Sequence, residues 1–175
     1  MNGPINLFFA LRPPDAVSPE IEALGARLQR AHRLRGARIA RERLHNTLAA
    51  VEGHRALPDT IARARSAAAL VRHQPFTVRF DWTESFDAHR DRYPFVLRSG
   101  LMPLSDFRQA LCGEMARAGL AAPRAYTPHI TLLWGDRAVE AYPIAPVAWR
   151  VTEFVLVLSL VGRSRHILID HWQLG

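Results

Sequence analysis

A chain of 175 residues, 49% hydrophobic and 22% charged, has enough apolar content for a packed core and none of the bias of a fibrous or disordered polymer. Its formal net charge of +7 rests on arginine alone, since the sequence holds no lysine. The lone Cys112 excludes an intramolecular disulfide or a thiolate metal cluster, and no apolar run reaches the roughly 20 residues of a membrane helix.

The opening stretch Met1–Pro14 lacks the basic segment and long apolar core of a secretory signal, so a cytoplasmic protein without membrane attachment is expected. Ile5–Leu11 reads as a buried strand closed by Arg12-Pro13-Pro14. From Ser18 to His32, Ile21, Leu24 and Leu28 recur at helical spacing, with glutamates early and arginines late, as a helix dipole favours. Leu44–Val51 is a short β-prone run, and Leu57–Arg72 fits a second helix. Phe76, Val78, Phe80 and Trp82 alternate with polar neighbours as a strand does, and Pro94–Arg98 is another. Leu104, Phe107, Leu111 and Met115 stripe a third helix over 103–118, stopped by Gly119. Pro128–Trp134 is again a strand. Two β-prone runs end the chain, Trp149–Val161 and His166–Trp172, joined at Gly162-Arg163-Ser164 by a hairpin turn. The order β-α-β-α-β-β-α-β-β-β, without a Gly/Ser linker, predicts one α+β domain with helices packed on largely antiparallel sheet.

Two of these strands carry the same words, Leu44-His45-Asn46-Thr47-Leu48 and Pro128-His129-Ile130-Thr131-Leu132. Each strand follows a helix, and the copies lie close to half the chain length apart, which predicts two related lobes donating one copy each. Residues two apart on a strand share a face, so each histidine projects with its threonine, and Asn46 points away. Two such strands side by side gather two imidazoles and two hydroxyls around one volume. Imidazole titrates near pH 6.5, so a neutral ring can take a proton from water while a protonated one gives a proton to a leaving oxygen. Threonine hydroxyls can hold the phosphate oxygens between them. Guanidinium forks suit the same anionic substrate, RNA or a phosphorylated nucleotide.

With these motifs the sequence resembles the 2H phosphoesterases, specifically the LigT-like RNA 2′,3′-cyclic phosphodiesterases, also called 2′-5′ RNA ligases. The resemblance runs through Leu7-Phe8-Phe9-Ala10-Leu11, the first motif, Pro75-Phe76-Thr77-Val78 and Tyr126-Thr127-Pro128-His129-Ile130-Thr131-Leu132. It implies two pseudo-symmetric lobes around a central cleft and hydrolysis of the cyclic phosphate of RNA ends or nucleotides to a 2′-phosphomonoester; separately, a monomer is expected. No metal and no cofactor are implied. His45 and His129 would be the acid–base pair, with His129 activating water and His45 protonating the 3′ oxygen, and Thr47 and Thr131 would bind phosphate. The chain departs from the family where an arginine often follows the second motif's strand, for Trp134 stands there. Arg124, Arg137, Arg163 or Arg165 are candidates to supply that charge, and Trp134 to stack on a base.

The alternatives are a non-catalytic RNA-binding module, RNA 2′-5′ ligation, and hydrolysis of another small cyclic phosphate such as an ADP-ribose derivative. His32, His54, His73 and His89 fall near turns or a helix end and read as surface residues. His166 and His171, an odd number of residues apart, are expected on opposite faces of the last strand, and with Asp170 they lack zinc-site spacing. Phe8 and Phe9 read as core, with one of them able to line a nucleotide pocket.

Overall fold

The run Ile5–Leu11 forms strand β1, and alternation along it sends Leu7, Phe9 and Leu11 to one face and Phe8 and Ala10 to the other. The computed structural model describes residues 5–51, 57–87, 92–100, 102–160, 162–163 and 165–175, so His54, His89 and Ser164 lie outside the described residues. After β1 come α1 (Ser18–Ala31), a 3-10 turn at Arg41–Arg43, β2 (Asn46–Ala50), α2 (Leu57–Leu70), β3 (Phe76–Ser85), β4 (Tyr93–Ser99) and α3 (Leu104–Arg117). The chain closes with β5 (His129–Gly135), β6 (Tyr142–Val151), β7 (Glu153–Leu160) and β8 (Arg165–Gln173).

The sequence pattern gives three helices and seven strands, whereas the structure has an eighth strand, β6, of which only the last residues look β-prone. Pro143 and Pro146 argue against a strand, because proline cannot donate to a ladder. β6 escapes that rule by lying at the edge of the sheet, in the order β6-β3-β4-β5-β2-β1-β7-β8.

Every paired neighbour in this sheet is antiparallel. β2 and β5 are joined by a single register pair, Asn46↔Ile130, while their outer neighbours pair over many residues. The sheet therefore consists of two four-stranded halves. One is β2-β1-β7-β8, built from the two ends of the chain, and the other is β5-β4-β3-β6, built from its middle. α1 packs on β5, whereas α2 and α3 pack on each other and reach β8 and β2, so the connections cross between halves.

All three helices bury their stripes on one sheet face. Phe9, Phe107, Phe154 and Trp172 bring their rings together there, and each fully buried phenylalanine contributes about 1.5–3 kcal/mol of transfer free energy. Among the described residues, no helix contributes to the cluster on the opposite face. That face carries a second small cluster, Phe8, Ala10, Val155 and Val157, and the motif residues.

Candidate active site

Asn46 and Ile130, the middle residues of the two motifs, are both fully buried toward the helices. Their pairing fixes everything next to them: one residue further in each direction, His45 comes opposite Thr131 and Thr47 opposite His129. The four side chains thus form a quartet on the open face, diagonally alike, with the local two-fold passing through the Asn46↔Ile130 pair.

The neighbouring strands extend the symmetry. β1 meets β2 through Ala10↔Thr47 and then Phe9↔Ala49, which leaves Leu48 as an extra, bulged residue. β4 meets β5 through Val96↔Thr131 and then Phe95↔Leu133, which leaves Leu132 bulged in the same place. A bulge shifts the alternation by one residue. Ala50 and Trp134 therefore return to the face of the histidines, opposite Phe8 and Pro94 respectively. Trp134 is 39% exposed, high for so large an apolar ring, and shares its sheet face with Thr131.

Both histidines are held alike. His45 Nδ1 is 2.7 Å from the carbonyl oxygen of Arg43, and His129 Nδ1 is 2.7 Å from that of Thr127. A carbonyl only accepts, so Nδ1 carries the proton in each ring and Nε2 is left for chemistry. Phe8 stacks on the His45 ring at 5.0 Å, and Phe86 meets the His129 ring edge-on at 4.8 Å. Burial lowers the pKa of both histidines. His45 falls to about 4, with burial opposed by its backbone bond and reinforced by His166, His129 and Arg43. His129 is lowered by burial, opposed by the Thr127 bond. Both rings are thus neutral at pH 7 when no anion is bound.

Behind the quartet, Asn46 donates from Nδ2 to the His129 carbonyl at 3.1 Å and accepts from the Tyr126 hydroxyl at 3.1 Å. The Arg108 guanidinium lies 4.7 Å over the Tyr126 ring and donates from Nε to the Leu48 carbonyl at 2.9 Å. Burial drives the Tyr126 pKa upward, so the phenol stays a donor.

The arginines expected near the site divide. Arg165 lines a cavity that contains His45, whereas Arg163 sits exposed in the turn. Arg124 lines a different cavity, against α3 with Arg108, Cys112 and Tyr126, and Arg137 pairs with Asp136 at 3.6 Å. Four residues that the sequence reading did not connect with the motifs lie near them: Arg12, Arg43, Arg98 and His166. Arg98 stands opposite His129 on β4, with Nη1 2.6 Å from Glu84. His166 lies 5.1 Å from His45, ring to ring, at 74°. The expectation that His166 and His171 face opposite ways is corrected by a bulge. β8 inserts Ile169 between the partners of Leu156 and Val157, so His166, Leu168 and His171 share the open face. Burial, then Arg43 and Arg12, lower the pKa of His166. His32 and His73 are also less exposed than expected, His32 bonding Tyr142 Oη at 2.6 Å and His73 packing on Phe76 and Phe107.

Comparison with known proteins bears on the family and the fold. The family model of the 2′-5′ RNA ligase superfamily matches residues 13–163. A crystal structure of Escherichia coli LigT with ATP is similar, at 27% identity and TM-score 0.71 over 98% of this chain and 99% of that one. LigT with 3′-AMP matches at 28% identity and TM-score 0.71 with the same coverage. A phosphoesterase structure matches at 28% identity and TM-score 0.69, covering 98% and 99% of the two chains. A comparison with curated proteins returns no match.

Proposed function

The chain belongs to the 2′-5′ RNA ligase superfamily and has the LigT-like 2H phosphoesterase fold, and on that premise we propose that it hydrolyses 2′,3′-cyclic phosphates of RNA ends or nucleotides to 2′-phosphomonoesters. The observation that carries the proposal is the quartet centred on Asn46↔Ile130. Solved structures of the E. coli relative with ATP and 3′-AMP support a ligand of nucleotide type. Among the described residues, no helix is long and apolar enough to cross a membrane.

In the proposed step the cyclic phosphorus lies between the two Nε2 atoms. A water oxygen attacks it in line, its proton passing to His129 Nε2. The P–O3′ bond breaks, and O3′ takes the proton of His45 Nε2, leaving the phosphate on O2′. Thr47 and Thr131 hydroxyls donate to the non-bridging oxygens, where charge grows as the phosphorus becomes five-coordinate. With a pKa of about 4 in the empty site, His45 must gain its proton together with the anionic substrate, whose charge favours the imidazolium.

Incubation with 2′,3′-cyclic nucleotides and cyclic-phosphate-ended RNA, followed by end-group analysis, tests this. His45→Ala and His129→Ala are each expected to cut turnover by at least about 100-fold with the fold intact. Activity surviving either change rejects the mechanism. Salt-sensitive RNA binding without turnover on any cyclic phosphate would point to the binding-module alternative instead. Because water far exceeds any RNA hydroxyl in concentration, hydrolysis is favoured over ligation.

A further inference from the structure

Around the quartet the two halves stop being alike. Leu11↔Asn46 and Leu97↔Ile130 are equivalent pairs, and the next residues outward are Arg12 beside His45 and Arg98 beside His129. Arg98 is already engaged by Glu84. The described polar bond of Arg12 is a donation from Nη2 to the backbone carbonyl of Glu42 at 3.2 Å. Arg12, Arg43 and Arg165 line a 310 Å³ cavity with His45, His166 and Glu42. None of the three arginines is ion-paired among the described residues. Arg43 Nε is buried without a hydrogen-bond partner, as is Arg98 Nε in the other half, so the difference between the halves lies in the ion pair of Arg98 and not in these atoms. Three guanidinium groups against one carboxylate leave the cavity positive.

We infer that this cavity binds a second phosphate of the substrate, carried on the 5′ oxygen of the same ribose whose cyclic phosphate lies between His45 and His129. The inference rests on the reading of the motifs given above. His45 belongs to both places, and His166 is one ring away from it, so a group lodged in the cavity is joined to the reacting centre through a single ribose. A phosphate has the charge and enough acceptor oxygens for several guanidinium forks. Burial is the main cause that lowers the pKa of His45 and His166, with Arg43 adding to it at both and Arg12 at His166, and an anion in the cavity would oppose those added charges and so help His45 keep the proton it donates. Two substrates place phosphate on O5′: an RNA, as the internucleotide diester, and a small nucleotide, as a terminal 5′-phosphate.

Calorimetric binding of adenosine 2′-phosphate and adenosine 2′,5′-bisphosphate, which differ by that group alone, tests the inference in wild type, Arg12→Gln and Arg165→Gln. The bisphosphate is expected to bind wild type at least about 10-fold tighter, an advantage that shrinks with salt. In each variant the advantage falls to about 3-fold or less. Both side chains are exposed, and melting curves check that the variants fold. Equal affinities in wild type, no binding of the bisphosphate, or an advantage that survives both substitutions overturns the inference. Turnover of a cyclic-ended dinucleotide against a cyclic mononucleotide with a 5′-phosphate then separates the sources, a gain with the diester indicating RNA ends. Binding needs no turnover, so a protein that binds the second phosphate yet hydrolyses no cyclic phosphate rejects the reaction and not the cavity.

Discussion

Asn46 Nδ2 lies 3.1 Å from the carbonyl oxygen of His129, so the middle residue of one motif grips the backbone of the other motif's histidine. Tyr126 and Arg108 complete the tether from behind. Asn46→Leu keeps the volume and removes both bonds, leaving the Tyr126 hydroxyl buried without its partner. The expected cost is about 1–3 kcal/mol of stability, read from denaturant curves. Because the spacing of the two rings is disturbed, kcat should fall about 10-fold with KM little changed. Tyr126→Phe, which removes one bond, should lose about 1 kcal/mol and little activity. An Asn46→Leu enzyme with full kcat would make the tether purely structural.

The division of labour between the histidines is open to a leaving-group experiment. A substrate with sulfur at the bridging 3′ position departs without needing a proton. His45→Ala should recover most of its lost rate on that substrate, and His129→Ala should not. The opposite pattern would exchange acid and base.

The three histidines around the site give stability a defined pH dependence. The pKa of His45, His129 and His166 is lowered in the folded protein, His45 to about 4 against 6.5 for the unfolded chain. As pH falls below 6.5 the unfolded state takes up these protons before the folded state does, so the folded state loses stability in the window from about 6.5 down to 4. The melting temperature should drop across that window, less steeply in His45→Gln, and inorganic phosphate should restore part of the loss by favouring charged rings. A melting temperature flat from pH 7 to 5 would contradict the burial argument.

Trp134 offers an exposed aromatic face beside Thr131. If a base stacks on it, Trp134→Ala should remove about 1–3 kcal/mol of binding, a rise in KM of roughly 5- to 160-fold with kcat unchanged, and Trp134→Phe should keep most of it. An unchanged KM would move base recognition elsewhere.

What could be read in advance follows the physics of each feature. His45, Thr47, His129 and Thr131 were legible because strand alternation is strict over two residues, so spacing alone puts them on one face. The same rule misplaced His166 relative to His171, since a bulge depends on the partner strand and leaves no local mark. β6 was hidden because the harmlessness of Pro143 and Pro146 depends on being at an edge, which is a property of the whole sheet. Arg12 and Arg98 are 86 positions apart in unlike contexts, and only the register of β1 on β2 and of β4 on β5 makes them counterparts.

The single pair between β2 and β5 also has a mechanical meaning. The sheet itself holds the two halves together at one register pair, and the helices that cross from one half to the other supply the remaining bracing, so any displacement at the seam is smallest there and grows with distance from it. His45 and His129 flank the fulcrum, whereas β8 and β6 form the lips. Any flexing of the halves changes the gape at the lips far more than the separation of the two rings.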